Sequence, residues 1–180
     1  GILVCPTSSG AVVGVELATR WLLWGFSFQT NIDPDRHVVV GAFGNAMVVS
    51  GNETPWRDAS ATVADGRVLV TPRETNQLFC LNLFDGKLAW WKLRQDELYV
   101  ACVEKGVVML VGGKQLRGIK LENGERAWKT ETVPLPDDAA PTGRGFLAGG
   151  KYYLPLSTAE IAVIDVATGA IESRIKSQDG

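Results

Sequence analysis

One short phrase occurs four times along the sequence and restricts the fold more than any other feature. In each copy two apolar residues flank a polar one, a turn follows, and an anchor residue stands four positions after the end of the turn. Alternation with period two is typical of a β-strand with one buried face. Glycine closes the turn in three copies, because it readily adopts the positive φ of tight turns. Each copy therefore predicts strand, turn, strand. The turns end at Arg20, Gly86, Gly124 and Gly169, and the anchors are Trp24, Trp90, Trp128 and Ser173.

Each copy follows another apolar stretch that predicts a short strand, at residues 2–4, 67–70, 107–111 and 152–154. Three of these stretches follow a further turn and an earlier candidate strand. Four short antiparallel strands joined by tight turns make up one blade of a β-propeller. We therefore predict an all-β fold, a partial β-propeller of about four four-stranded antiparallel blades, with the first blade incomplete.

The spacing of the anchors predicts the blade boundaries. From Trp90 to Trp128 and on to Ser173 the spacing is 38 and 45 residues, close to the length of one blade. From Trp24 to Trp90 it is 66 residues, which predicts an insertion at 29–56. A single propeller segment over residues 1–180 is expected. Its blades are predicted at 1–28, 57–95, 96–132 and 140–178.

The first residues already have the pattern of a strand interior, without a charged leader. We interpret the chain as a fragment of a longer propeller, so the missing leader does not inform the location. Three or four blades do not easily close a ring, and open sheet edges tend to pair with other chains. The expected partner is therefore another protein, or a second copy in a homodimer that closes a ring of four blades plus four.

Composition excludes several function classes. The formal net charge is −2, so the clustered basic surface expected of a nucleic-acid-binding protein is not predicted. The longest apolar runs are too short for a membrane span. Cys5, Cys80 and Cys102 lie far apart in apolar stretches without metal-ligand spacing, and are predicted to be buried thiols that leave the compartment open.

Few residues suggest chemistry. The stretch "NIDPD" at 31–35 alternates oxygen ligands, but Arg36 stands where a calcium loop needs glycine, so turn formation explains it better. His37 is the only histidine and lies near no nucleophile motif. The stretch "GAFGNA" at 41–46 lacks the ending of a phosphate-binding loop. We predict no catalytic, metal-binding or cofactor-binding residue.

The repeated phrases "LNLFDGKLAW" (81–90), "IKLENGERAW" (119–128) and "VIDVATGAIES" (163–173) resemble the repeat of pyrroloquinoline-quinone-like (PQQ-like) β-propellers. That family includes quinone-dependent dehydrogenases, which use PQQ, calcium, carboxylates and often two adjacent cysteines. It also includes non-catalytic members, among them a scaffold lipoprotein of bacterial outer-membrane protein assembly. Adjacent cysteines and a recognisable cofactor motif are absent from this sequence, so the chain is nearer to the scaffold members. No cofactor is expected, and whether the whole protein is an enzyme stays open, with a non-catalytic role favoured.

The resemblance also implies roles for the tryptophans. At the repeat position, Trp24, Trp90 and Trp128 would stack between neighbouring blades and donate the indole N–H to a backbone carbonyl. Ser173 departs from this pattern, so the fourth blade is expected to be joined less firmly or capped differently. Trp91 follows Trp90 on a strand and must face the opposite way. Trp91 and Trp56 are the candidates for a contact surface, although burial against a neighbouring blade is the simpler expectation for Trp91.

The resemblance implies a scaffold or protein-binding module in the periplasm or cell envelope of a bacterium. Two alternatives remain at this point. One is a fragment of a PQQ-dependent quinoprotein dehydrogenase whose ligands lie outside this segment. The other is a ligand-sensing propeller domain that uses the insertion at 29–56 as its recognition loop.

Overall fold

The computed structural model describes residues 1–8, 10–28, 60–73 and 75–176, together with the backbone of residues 38–40 and 46–48. Most of the insertion predicted at 29–56 lies outside these residues, as do Trp56, His37 and the stretch 31–35. The described part is built of antiparallel β-sheets in which strands that follow one another along the chain are neighbours. The expected all-β partial propeller is confirmed, and each sheet is called a blade below.

The strands divide into four blades and one separate hairpin. Blade 1 has three strands, β1 (Ile2–Pro6), β2 (Ala11–Glu16) and β3 (Leu22–Ser27). The hairpin is β4 (Val38–Val40) and β5 (Ala46–Val48). Blade 2 has β6 (Thr62–Ala64), β7 (Arg67–Val70), β8 (Gln77–Asn82) and β9 (Leu88–Leu93). Blade 3 has β10 (Glu97–Glu104), β11 (Val107–Gly112), β12 (Gln115–Lys120) and β13 (Val133–Pro134). Blade 4 has β14 (Phe146–Ala148), β15 (Lys151–Pro155), β16 (Glu160–Asp165) and β17 (Ile171–Lys176).

The turns before the outermost strands are stabilised by short polar side chains. Asp85 Oδ1 accepts a hydrogen bond from the backbone N–H of Lys87 at 3.1 Å, and Asn123 Oδ1 accepts one from Glu125 at 2.9 Å. The backbone N–H of Lys87 lowers the pKa of Asp85, because it stabilises the carboxylate. Such side chains satisfy backbone donors locally, which explains why the repeated turns form where the sequence places them.

The outer edge of blade 3 differs from the predicted regular strand around Trp128. Residue Ile119 of β12 forms a bridge to Arg126, and Leu116 pairs with Val133. Between these two pairs lie two residues of β12 but six residues of the outer segment. The extra residues of the outer segment form a loop between Ala127 and the start of β13. The outermost strand of this blade is thus Val133–Pro134, just beyond the predicted end of the third blade at residue 132.

The core lies between the blades rather than within one layer. Its buried apolar residues form three clusters, one for each pair of neighbouring blades. Blades 1 and 2 enclose Val12, Trp24, Phe28, Val68, Val70, Phe79 and Leu81. Blades 2 and 3 enclose Leu69, Leu78, Cys80, Trp90, Val100, Val108, Leu110, Ile119 and Leu121. The cluster between blades 3 and 4 includes Tyr99, Cys102, Met109, Trp128, Tyr152, Leu154 and Ile164.

The short apolar runs of the sequence predict no membrane-spanning segment. Within the described ranges there is no helix with the length and apolar character needed to cross a bilayer.

Candidate functional site

Each of the three anchor tryptophans reaches from its own blade to the next one. The indole N–H of Trp24 donates to the carbonyl of Leu83 at 2.8 Å, and that of Trp90 donates to the carbonyl of Leu121 at 2.9 Å. Trp128 donates to the carbonyl of Val166, also at 2.9 Å. All three rings are buried. Each interface therefore combines a large apolar contact with one satisfied polar group.

The turn glycine of the next blade lies directly against each indole. A Cβ atom added to Gly86 would come within 2.6 Å of Trp24, and one added to Gly124 would come within 2.9 Å of Trp90. At Gly169 the nearest atom of Trp128 would lie at 2.5 Å. These glycines also have φ between 67° and 77°, the left-handed region that favours glycine. Glycine is therefore required at these turns both by the backbone conformation and by the tryptophan.

The two ends of the row of blades depart from this pattern. Arg20 occupies the turn position of blade 1 with the same geometry, since its φ is 62° and its N–H donates to Glu16 at 2.8 Å. A non-glycine residue in this conformation typically costs about 1–2 kcal/mol. Ser173 occupies the tryptophan position of blade 4, opposite Val163. Both side chains are exposed.

Blade 1 leaves one sheet face uncovered. In β-strands, side chains that pair across the sheet share a face, and Leu3, Val15 and Leu22 form one such row. This row lies opposite Trp24, so it faces away from blade 2, and Leu22 is 66% exposed. We call this surface the first-blade open face. It comprises Leu3, Cys5, Val13, Val15, Leu17 and Leu22.

Blade 4 leaves uncovered the face that carries Ser173. Phe146, Tyr153 and Val163 form a row with Ser173, and the rings of Phe146 and Tyr153 stack at 4.8 Å. Phe146 is 59% exposed and Ile175, in the neighbouring row, is 48% exposed. We call this surface the fourth-blade open face. It comprises Phe146, Tyr153, Pro155, Ile161, Ser173 and Ile175, which surround the buried Val163.

The two other tryptophans with described side chains are partly or largely exposed. Trp91 pairs with Phe79, and the Phe79 ring packs against Phe26 and Phe28 of blade 1. Trp91 itself lies at the outer rim of the interface between blades 1 and 2 and is 49% exposed. Trp21 is 76% exposed in the turn beside Arg20. The sequence analysis did not select Trp21 as a contact residue. The sequence signal that could have indicated Trp21 is its position next to Arg20, which occupies the turn position that is glycine in the other three copies.

A cluster of polar contacts connects blade 3 with the segments that precede blade 2 and blade 4. The Tyr99 hydroxyl donates to the carbonyl of Gly143 at 3.0 Å, and the guanidinium of Arg144 lies 4.9 Å from the centre of the Tyr99 ring. Arg144 also donates to the hydroxyl of Ser60, at 3.1 Å, across 84 residues of sequence. Burial raises the pKa of Tyr99, so the phenol stays neutral and acts as a donor. These contacts hold the strands in place.

Several other ionisable groups are also engaged in structural contacts. Arg117 forms a buried ion pair with Glu97 at 2.8 Å, and Arg174 binds Asp138 and Glu160. Burial raises the pKa of Cys80 and of Cys102 to about 12. The three cysteines are free thiols. Within the described ranges no three histidine, cysteine or carboxylate side chains come together in a group that could hold a metal ion.

Solved structures with the same fold include BamB, alcohol dehydrogenases and a computationally designed protein. BamB from Moraxella catarrhalis matches with a TM-score of 0.64 and 14% identity, over 97% of this chain and 49% of that one. Quinohemoprotein alcohol dehydrogenase from Comamonas testosteroni matches with a TM-score of 0.63 and 15% identity, over 98% and 33%. The computationally designed Ika8 protein matches with a TM-score of 0.63 and 12% identity, over 98% and 46%. The chain spans half or less of the length of these structures, and at such identities the likeness shows the fold alone.

The sequence comparison is more specific. No curated protein sequence matches the chain at a significant level. A family match, however, covers residues 8–179, and the family is described as outer membrane protein assembly factor BamB. The match includes every blade anchor from Trp24 to Ser173. The chain therefore belongs to the BamB family of PQQ-like β-propeller proteins.

Proposed function

We propose that this chain is a non-catalytic propeller module that acts as a scaffold or protein-binding platform in the bacterial cell envelope, on its periplasmic side. The observation that carries the proposal is the pair of accessible tryptophans, since Trp21 is 76% exposed and Trp91 is 49% exposed. Exposed large apolar side chains of this kind mark protein-interaction surfaces. The description of the family as an assembly factor supports contacts with other proteins.

The location of the tryptophans supports the same role. The three docked indoles are buried in the contacts between blades, whereas Trp21 and Trp91 stay accessible at the surface. Aromatic side chains of this type are enriched among residues that dominate binding energy at interfaces. The accessible aromatic groups are therefore available to a partner.

The proposal is tested by site-specific photo-crosslinking in cells that express the chain. A photoreactive amino acid replaces Trp21 or Trp91, the two accessible tryptophans. Thr130, an exposed polar residue on the outer segment of blade 3, is the matched control position. We expect adducts with a protein of the envelope from positions 21 and 91 and none from position 130. Equal labelling at all three positions would contradict a specific contact surface.

The alternative of a dehydrogenase fragment shares the fold, as the alcohol dehydrogenase from Comamonas testosteroni shows. It is tested by titrating PQQ and calcium while recording tryptophan fluorescence. The proposed scaffold should show no saturable change. Stoichiometric, saturable quenching would favour the enzyme and contradict the scaffold, because the accessible and docked indoles together report on every blade interface.

A further inference from the structure

The sequence contains a single Asn-Gly pair, Asn123–Gly124, and this pair forms the turn that blade 3 presents to Trp90. Asparagine is a chemically labile residue, most of all before glycine, because glycine has no side chain to shield its backbone nitrogen from the carboxamide. Asn123 is exposed, whereas Gly124 is buried. The labile pair therefore lies at the contact between blades 2 and 3.

In the closed turn, hydrogen bonds engage both groups that would react. Asn123 Oδ1 accepts from the backbone N–H of Glu125 at 2.9 Å, and the N–H of Gly124 donates to the carbonyl of Lys120 at 2.8 Å. The Gly124 nitrogen must leave Lys120 before it can attack the carboxamide. Gly124 also lies directly against Trp90, so opening of the turn disturbs the contact between the blades.

We propose that Asn123 is a deamidation site, that the reaction proceeds only when this turn opens, and that its isoaspartate product loosens the interface between blades 2 and 3. The Gly124 nitrogen forms a bond to Cγ of Asn123, and the bond from Cγ to Nδ2 breaks. Nδ2 leaves as ammonia and takes the proton of the Gly124 N–H. Water then opens the cyclic succinimide at either carbonyl, which yields aspartate or isoaspartate.

Aspartate fits the turn, because the corresponding turn of blade 2 already contains it. Asp85 Oδ1 accepts from the N–H of Lys87 at 3.1 Å, and the N–H of Gly86 donates to the carbonyl of Asn82 at 3.0 Å. These are the same two hydrogen bonds that the turn of blade 3 makes. Asn123→Asp therefore reproduces the harmless product and serves as the matched control.

Isoaspartate does not fit, because its Cβ becomes part of the main chain and lengthens the turn by an extra backbone atom. The closed turn places Gly124 against the Trp90 ring and the Leu121 carbonyl 2.9 Å from the indole nitrogen. A longer turn cannot keep both contacts. Cys80 reports on the change, because its sulfur lies 3.9 Å from the same Leu121 carbonyl oxygen.

The first test measures the rate of the reaction in the 180-residue chain at mildly alkaline pH. Peptide mass spectrometry quantifies deamidation at position 123, and labelling by isoaspartyl methyltransferase identifies isoaspartate. We expect the folded chain to react at least about tenfold more slowly than a synthetic peptide of residues 117–129, because the turn is closed most of the time. Trp90→Phe, which removes the indole donor, should accelerate the reaction. Trp91→Phe, at the neighbouring half-exposed position, should not.

The second test measures the consequence for the interface. In the isolated isoaspartate form, alkylation of Cys80 should be several-fold faster than in the parent, while Cys102, between blades 3 and 4, keeps its rate. Asn123→Asp should keep the parent rate at both thiols. Deamidation as fast in the folded chain as in the peptide would overturn the inference. So would an isoaspartate form in which Cys80 is as protected as in the parent.

Discussion

At the scale of single residues, tryptophan and glycine act as a pair that joins blades. The glycine allows the turn to adopt positive φ and also leaves the space that the indole fills. These two requirements can be separated, because Gly106 has φ of 77° but nothing within 4 Å of an added Cβ. Comparison of the two kinds of glycine therefore measures the contribution of the tryptophan contact alone.

The first prediction is that Gly86→Ala destabilises the protein more than Gly106→Ala. At Gly106 alanine costs only the strained backbone, about 1 kcal/mol. At Gly86 the collision with Trp24 adds an overpacking cost of about 1–3 kcal/mol. The free energy of unfolding is measured in urea. Equal losses for the two variants would show that Trp24 moves aside without cost.

The second prediction concerns the indole N–H. Trp90→Phe keeps an aromatic ring but removes the donor to the buried carbonyl of Leu121, and should cost about 1–3 kcal/mol. Trp91→Phe, at the neighbouring half-exposed position, should change the free energy of unfolding by less than about 0.5 kcal/mol. A reversed order would mean that Trp91 is the more important contact of this strand. Both are measured by urea denaturation.

At the scale of elements, the blade interfaces are the structural units, and two of the three interfaces contain one buried thiol each. Cys80 lies between blades 2 and 3, and Cys102 lies between blades 3 and 4. Cys5 lies outside, on the first-blade open face. Cys80 and Cys102 therefore report separately on the opening of these two interfaces, and their burial disfavours the reactive thiolate.

The third prediction is that Cys5 is alkylated first in the native protein, and that Cys80 and Cys102 react only at the rate at which their interfaces open. The label at each cysteine is quantified over time by peptide mass spectrometry. Simultaneous reaction of all three thiols in the folded protein would contradict the closed packing of the two interfaces that contain Cys80 and Cys102.

The same burial predicts how stability depends on alkaline pH. The folded-state pKa of Cys80 and Cys102 is raised from 9.0 to about 12, so below pH 9 both thiols are neutral in both states. Above pH 9 the unfolded thiols lose their protons first, and the free energy of unfolding falls by up to about 1.4 kcal/mol per pH unit for each thiol. Urea denaturation between pH 8 and about 11 should show a shallower fall in C80A C102A than in the parent.

At the scale of the whole molecule, the row of blades makes local stability depend on position. Blades 2 and 3 are covered on both faces, whereas blades 1 and 4 are each covered on one. In repeat architectures stability is close to a sum of terms within repeats and between neighbours. The inner blades therefore have two stabilising neighbours, and the end blades have one.

The fourth prediction is a gradient of hydrogen exchange. Amides of β8 and β11 should exchange most slowly, and those of β1 and β17 faster, in dilute protein. Uniform exchange rates in all blades at low concentration would contradict the division into inner and end blades. The measurement is exchange followed by mass spectrometry.

The sequence by itself determined the strands, the turns and the register of the repeat. Period-two alternation and turn glycines act within a few residues, so the strand–turn–strand phrases and the anchors at Trp24, Trp90 and Trp128 could be placed without a structure. The looped-out outer segment of blade 3 could not be placed, because its phrase has the same local pattern as the regular ones. How many residues pair there depends on where the chain rejoins β12 at Val133.

Only the tertiary structure decided which of these side chains are covered. Trp90 and Trp91 are adjacent and chemically identical, but one donates to a carbonyl 31 residues away and the other stays half exposed. Arg20 and Ser173 are 153 positions apart and appear as unrelated irregularities in the sequence. Burial depends on neighbours that distant parts of the chain supply, which is why the repeat predicted the blades, while the coverage of each side chain emerged only from the packing of one blade on the next.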